Sequence, residues 1–268
     1  MRNVECHKVV FLLSMEVKSV TKESYVLAAL LSTSGDCALW VAAIIVVVGM
    51  FLGDKTSGSS AWGIVLIIQA LMLAAYSFLT LGSSVVNFRA RKLKINDTVD
   101  NAFGTEIGGS HSENYFDNQE ITSGHKRLLF NTAESCFFSY RELKSMWFCV
   151  CLKLFVPLAV LIVGLILNKA EVIMAIFRIT AILMLIVQVV RFFVALFFLK
   201  VLLNQILNTL KHKIGSAVQF SAESINYTLE YETLMVWYGT KIPDKVYRKM
   251  NEKLTSEWEK MKNIFVAR

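Results

Sequence analysis

The chain has 268 residues, of which 55% are hydrophobic and only 18% are charged. Its mean hydropathy of +0.51 excludes most water-soluble globular classes and favours a protein of the membrane. The net charge of +7 then indicates attraction to anionic lipid headgroups, and we expect no nucleic acid polymer as a partner.

Residues 1–29 form an N-terminal segment whose first residues predict little regular structure. A short apolar run near its start has no small-residue cleavage site after it, so we do not expect a removable signal peptide. Met15 is an alternative start of the chain. Gly35 and Asp36 interrupt the approach to the first long apolar stretch, which leaves an interfacial helix as the alternative to a first membrane span.

Four apolar windows are long enough, or nearly so, to cross a bilayer, which takes about 20 residues of α-helix. They group into two hairpins, over residues 30–82 and 146–199. The sequence therefore predicts an all-α integral membrane protein with four transmembrane helices and helical cytosolic extensions. The windows are residues 38–53, 61–82, 146–167 and 172–199.

Lysine and arginine residues are concentrated on one side of these windows. Four precede the first window, eight lie in residues 83–145 and eleven follow residue 199, whereas the turns inside the two hairpins hold one each. The positive-inside rule therefore predicts a multi-pass protein with both termini and the middle segment in the cytoplasm.

The segments outside the windows show helical periodicity. Residues 83–145 predict a stalk helix that continues the second span, a glycine-bearing loop and a return helix that leads into the third span. The tail, residues 200–268, predicts further helices, with Asp244 as the N-cap of the last one. The apolar side of that helix has to pack on the protein's own helices, on a neighbouring subunit or on the membrane surface.

No group of residues in the sequence predicts catalysis. There is no glycine-rich nucleotide-binding pattern after a strand, no nucleophile signature and no histidine pair at metal-ligand spacing. The five cysteines also lack metal-ligand spacing and predict reduced packing residues. We therefore expect no enzymatic activity, no cofactor and no metal.

Polar residues within the spans are informative, because a charge at bilayer depth is costly unless it reaches the surface, a partner or water. In the fourth span, Gln188 and Arg191 lie about 60° apart on one helix face, and Arg178 lies about 140° from Arg191. Either the arginines reach the nearer surface or pair within the chain, Arg178 with Glu171, or these residues line a polar pathway in an assembly. Gln69 in the second span is expected to hydrogen-bond between helices.

A basic cluster lies in the middle segment, at the end of the predicted loop. His125, Lys126 and Arg127 are candidate contacts for a phosphate-bearing messenger, because adjacent cationic side chains bind phosphate oxygens strongly. The alternative is a solvated or lipid-facing charge cluster.

Three segments outside the spans resemble motifs of the four-transmembrane pore-forming effectors of bacterial anti-phage systems. The segments are "INDTVDNAFG" (95–104), "CFFSYRELKSMW" (136–147) and "IPDKVYRKMNEKLTSEWEKM" (242–261). Val99 and the residues that follow Phe103 depart from the family's pattern. The matching positions are Ile95, Asp100, Phe103, Cys136, Arg141, Glu142, Pro243, Asp244, Tyr247, Glu259 and Met261.

The resemblance implies a protein that stays inert in the cell inner membrane until a partner nucleotidyltransferase makes a cyclic oligonucleotide. The protein then assembles into a homo-oligomer and permeabilises the membrane, which causes abortive infection. We therefore expect a membrane-disrupting effector of antiviral defence that is triggered through its cytosolic helices. A constitutive channel or transporter subunit, and a membrane-anchored helical scaffold, are the alternatives.

Overall fold

The computed structural model describes residues 22–56, 60–108, 116, 118, 120–167, 172–211, 217–239 and 244–266. Every regular element in these ranges is an α-helix, so the prediction of an all-α fold is confirmed for this part of the chain. Residues 1–21, Glu171 and Pro243 lie outside the described residues. The helices are α1 (Lys22–Thr56), α2 (Ser60–Phe103), α3 (His125–Leu167), α4 (Val172–Lys211), α5 (Ala217–Tyr238) and α6 (Asp244–Val266).

Among the described residues, three helices are long and apolar enough to cross a membrane. Their apolar stretches are Glu23–Ala42 in α1, Gly63–Phe103 in α2 and Ile186–Lys211 in α4. These helices are compatible with a protein embedded in a membrane. Four spans were predicted, and most side chains of the third, residues 146–167 of α3, lie outside the described residues.

The second helix continues without a break past the end of its apolar window. It stops at Gly104, whose φ of 69° lies in the left-handed region that favours glycine. The Gly104 amide donates to the carbonyl of Asp100 at 2.7 Å, which closes the last turn of the helix. After the following loop, the Gly124 amide donates to the carbonyl of Ala102 at 2.7 Å, so the chain returns to α2 before α3 begins.

The larger hydrophobic core lies within a helical bundle. We use this term for residues 83–103 of α2, 125–145 of α3, 192–211 of α4, and all of α5 and α6. Leu129, Leu199, Leu202 and Trp258 are almost completely buried in this core. Trp258 places the apolar side of α6 on α3, with its ring centroid 5.9 Å from that of Phe137. Each fully buried aliphatic or aromatic side chain contributes about 1.5 to 3 kcal/mol of transfer free energy.

A smaller core joins α1 to α2 in their apolar parts. Leu39, Leu73 and Tyr76 are buried there. Gly35 of α1 faces α2, where a β-carbon at this position would lie 3.4 Å from Oγ1 of Thr80, an ordinary van der Waals distance. We use the term apolar half for α1 and for the parts of α2, α3 and α4 outside the bundle, namely residues 60–82, 146–167 and 172–191. Three continuous helices, α2, α3 and α4, connect this half to the bundle.

Candidate functional site

A buried ion pair lies where α2 packs on α5. Arg91 and Glu232 are 7% and 6% exposed, and Nη1 of Arg91 lies 3.6 Å from Oε2 of Glu232. The guanidinium also lies 5.7 Å from the ring centroid of Tyr25 in α1. Both charges have lost most of their water, so removal of either partner would leave the other charge uncompensated.

A second electrostatic group combines residues of α2, α3 and α6, of which Lys94 and Glu142 are buried and Tyr247 is exposed. Glu142 is 4% exposed, and burial raises the pKa of its carboxyl to about 7, while Lys94 opposes this rise. Burial also raises the pKa of Tyr247, and the negative charge of Glu142 raises it further. Nζ of Lys94 lies 5.5 Å from the ring centroid of Tyr231. The structure thus brings two motif positions, Glu142 and Tyr247, into one electrostatic group.

Asp100, in the segment 95–104, stabilises the turn that follows α2. Its carboxylate is 1% exposed and accepts three hydrogen bonds. Oδ1 accepts from Oγ1 of Thr105 at 2.6 Å and from the amide of Ile107 at 2.8 Å, and Oδ2 accepts from the amide of Gly108 at 2.7 Å. These contacts give Asp100 a structural role at the end of the helix.

The predicted basic cluster begins α3, but its three side chains have different surroundings. His125 packs edge-on against Phe103, with 5.0 Å between ring centroids, and its Nδ1 lies 3.2 Å from Oγ of Ser224. Of the three cluster residues, Lys126 alone is exposed. The structure therefore does not present them as one solvent-facing patch.

Arg127 binds backbone carbonyls of the preceding segments. Its Nε and Nη2 both donate to the carbonyl of Ile121, at 2.9 and 2.6 Å. Its Nη1 donates to the carbonyl of Asn101 at 3.3 Å. The guanidinium therefore joins the loop before α3 to the end of α2.

Two polar contacts fix α6 against the rest of the bundle. Arg141, at the second motif, donates from Nη2 to Glu257. Lys262 lies 2.8 Å from both Glu120 and Glu259, the latter also a motif position. Burial lowers the pKa of Lys262, but its hydrogen bonds to the two carboxylates outweigh this effect and raise it.

Among the described residues of the apolar half, a hydrogen bond between side chains joins α4 to α2. Nε2 of Gln188 in α4 donates to the hydroxyl of Tyr76 in α2 at 2.7 Å. Arg191 is exposed, so Gln188 points to a neighbouring helix and Arg191 does not. Arg178 lies in α4, and its side chain is outside the described residues. Sequence reasoning missed Tyr76, because an aromatic residue in an apolar run gives no separate signal.

Gln69 is one of the buried residues whose polar side-chain atoms lack a hydrogen-bond partner among the described residues. It is completely buried in α2, and neither its amide nitrogen nor its amide oxygen has a hydrogen-bond partner among the described residues. The bond between helices that the sequence predicts for Gln69 is therefore not found in this part of the chain. The orphaned amide is unfavourable in an apolar interior.

The chain matches no protein-family profile, no curated protein and no solved structure. Within the described residues, no three histidine, cysteine or acidic side chains are grouped so that they could hold a metal ion. The arrangement consists of paired charges in the bundle and hydrogen-bonding groups in the apolar half.

Proposed function

We propose that the protein is a pore-forming, membrane-disrupting effector of an antiviral defence system. It acts as an oligomer and is triggered through the helices of the bundle. The continuity of α2, α3 and α4 carries this proposal, because each helix runs from its apolar part into the bundle without a break. A shift of these helices in the bundle therefore moves their membrane parts as well.

In this proposal, four spans form two hairpins in the cell inner membrane, with both termini and the bundle in the cytoplasm. Exposed basic side chains near the bundle end of the apolar stretches support this orientation, because cytoplasmic flanks of spans are rich in lysine and arginine. These residues are Arg89, Lys92, Lys144 and Lys200.

The buried charges of the bundle provide the means of triggering. A messenger that binds a rearranged bundle more tightly than the one described here shifts the population to the rearranged state. We assign this role to a cyclic oligonucleotide made by a partner nucleotidyltransferase. Lys126 is its first candidate contact, because it is the exposed cation at the start of α3.

A membrane-anchored helical scaffold is the second candidate function. It is favoured by the contacts of Arg141 with Glu257 and of Lys262 with Glu120, which hold the bundle in one arrangement. A scaffold would pass no ions and would tolerate substitution of Arg178 and Arg191.

Uptake of a membrane-impermeant dye by bacteria distinguishes these functions. We expect uptake when the protein is expressed together with a cyclic-oligonucleotide synthase, and none when either is expressed alone. Absence of uptake with every synthase tested would contradict the pore and favour the scaffold.

A pair of variants tests the fourth span in the same assay. Gln188→Leu with Arg191→Leu should lower dye uptake several-fold, because it removes two polar groups that lie about 60° apart on one face of this span. The matched control is Val187→Leu with Val190→Leu, which changes two exposed apolar residues of the same helix. Equal uptake by both double variants, at equal amounts in the membrane, would make the fourth span an anchor.

A further inference from the structure

One face of α2 is polar along most of its length. At about 100° per residue, ten positions from Gln69 to Asn101 lie within roughly 40° of one line along the helix. Leu73 is the only apolar residue among them. This polar face of α2, as we call it, extends over roughly 48 Å at 1.5 Å per residue.

The polar face of α2 is turned toward the protein interior. Gln69 is 0% exposed, and Ser83 and Asn87 are 5% exposed. In contrast, Leu71 and Phe78, on other sides of the same helix, are 60% and 75% exposed. The helix therefore has its apolar residues outside, as lipid requires, and a polar line inside, which is where ion pathways lie in membrane proteins.

Other helices cover this face and supply hydrogen bonds to it. Ser83 donates to the carbonyl of Ala28 in α1 at 2.8 Å, and Tyr76 accepts from Gln188 in α4. Farther along, the amide nitrogen of Asn131 in α3 donates to Asn101. Residues of α1, α3 and α4 thus close the face in the described state.

Gln69 receives no such bond, since both the nitrogen and the oxygen of its amide lack a hydrogen-bond partner among the described residues. A buried amide without a partner disfavours the state in which it is buried. A state in which water reaches Gln69 removes this penalty. The residue is therefore placed to favour hydration of the apolar half.

We propose that the polar face of α2 lines the pathway of water and small inorganic ions in the open state, and that Gln69 favours this hydrated state. The inference rests on the proposed pore function and names the surface along which ions pass. It places Gln188 beside the pathway, as the partner of Tyr76, and the exposed Arg191 away from it.

Ion flux through proteoliposomes that contain the purified protein, measured after addition of cyclic di- and trinucleotides, tests the role of this face. Gln69→Leu and Thr80→Val should each lower the flux of chloride or potassium. For Gln69→Leu we expect a decrease of about ten-fold, because a buried leucine has no unsatisfied polar group and so no longer favours the hydrated state. Leu71→Ile and Phe78→Leu are matched controls on the outer surface of the same helix and should conduct like the unaltered protein.

Modification of introduced cysteines tests the hydration of the face without reference to conduction. Thiols react as thiolates, which form in water and not in lipid. After addition of the same cyclic nucleotides, a charged, membrane-impermeant thiol reagent should therefore modify Gln69→Cys and Thr80→Cys, and should not modify Leu71→Cys or Phe78→Cys. The unaltered protein gives the background from the native cysteines.

The two measurements separate failure of the inference from failure of the proposed function. If the unaltered protein conducts, but Gln69→Cys stays unmodified and Gln69→Leu conducts normally, the inference is overturned and the pore stands. If Gln69→Cys is modified and no ions pass, the pore is contradicted and the hydrated face stands. If Gln69→Cys stays unmodified and no ions pass, both the hydrated polar face of α2 and the proposed pore are contradicted.

Discussion

Glu142 is the residue whose chemistry depends most on the fold. Its carboxyl is buried and its pKa is about 7, compared with 4.5 for an unperturbed glutamate. The folded state binds the proton of Glu142 more tightly than the unfolded state does. The protonated carboxyl therefore makes its full contribution to the free energy of unfolding below about pH 4.5, and this contribution is lost as the pH rises through about 7. Glu142 therefore makes the bundle less stable at pH 8 than at pH 5.

Replacement of this carboxyl by an amide tests the pH dependence. In thermal unfolding of the detergent-solubilised protein, Glu142→Gln should reduce the loss of stability between pH 5 and pH 8 by roughly 2 kcal/mol. Glu252→Gln is the control, because Glu252 is exposed on α6. An unchanged pH dependence in Glu142→Gln would show that this carboxyl is ionised without penalty in the fold.

At the scale of single residues, the resemblance selects positions in the sequence but does not predict the structural role of each side chain. Asp100 and Glu142 stand in segments that the resemblance singles out, yet their hydrogen bonds and burial depend on residues distant in the chain. The basic cluster shows that neighbours in sequence need not share surroundings. Its charges are adjacent in the chain, yet the guanidinium of Arg127 donates to the carbonyl of Ile121 and does not form one patch with Lys126. Local sequence shows which charges exist and not which partners they find.

At the scale of elements, α6 is held by packing on one side. Leu254 and Trp258 are almost fully buried, whereas Ile264 is 57% exposed on the same helix. Helical periodicity alone predicts this amphipathic element and its apolar side. The sequence left the protein's own helices, a neighbouring subunit and the membrane surface as alternatives for the surface that covers this side, because the pattern of one helix does not identify its partner.

Truncation of a buried leucine should release α6 from the bundle. We expect Leu254→Ala to lower the free energy of binding of α6 to α3 by about 2 to 5 kcal/mol, because it leaves a cavity. Hydrogen exchange should then increase along α6 while the α3 amides of the core remain protected. Ile264→Ala, on the exposed side, should exchange like the unaltered protein. Uniform exchange increases throughout the bundle would show that α6 does not separate as a unit.

The whole molecule has two connected halves, one apolar and one a bundle with paired charges. Hydropathy predicted long apolar helices, and the continuity of α2 from Ser60 to Phe103 follows from the absence of proline or a glycine turn before Gly104. The residues of the polar face of α2 can be read from the sequence, but within the apolar run they are seven and four positions apart. A hydropathy average over such a window therefore does not detect them. Orientation of that face required the packing of α1 and α4.

Electrical recording from the purified protein in a planar lipid bilayer tests the pore most directly. After addition of cyclic di- and trinucleotides, we predict discrete current steps that are absent before addition, since the messenger favours the open oligomer. The steps should be smaller or rarer in Gln69→Leu and unchanged in Phe78→Leu. A bilayer that stays electrically silent with every nucleotide, although the protein is inserted, would contradict the account and leave the scaffold as its function.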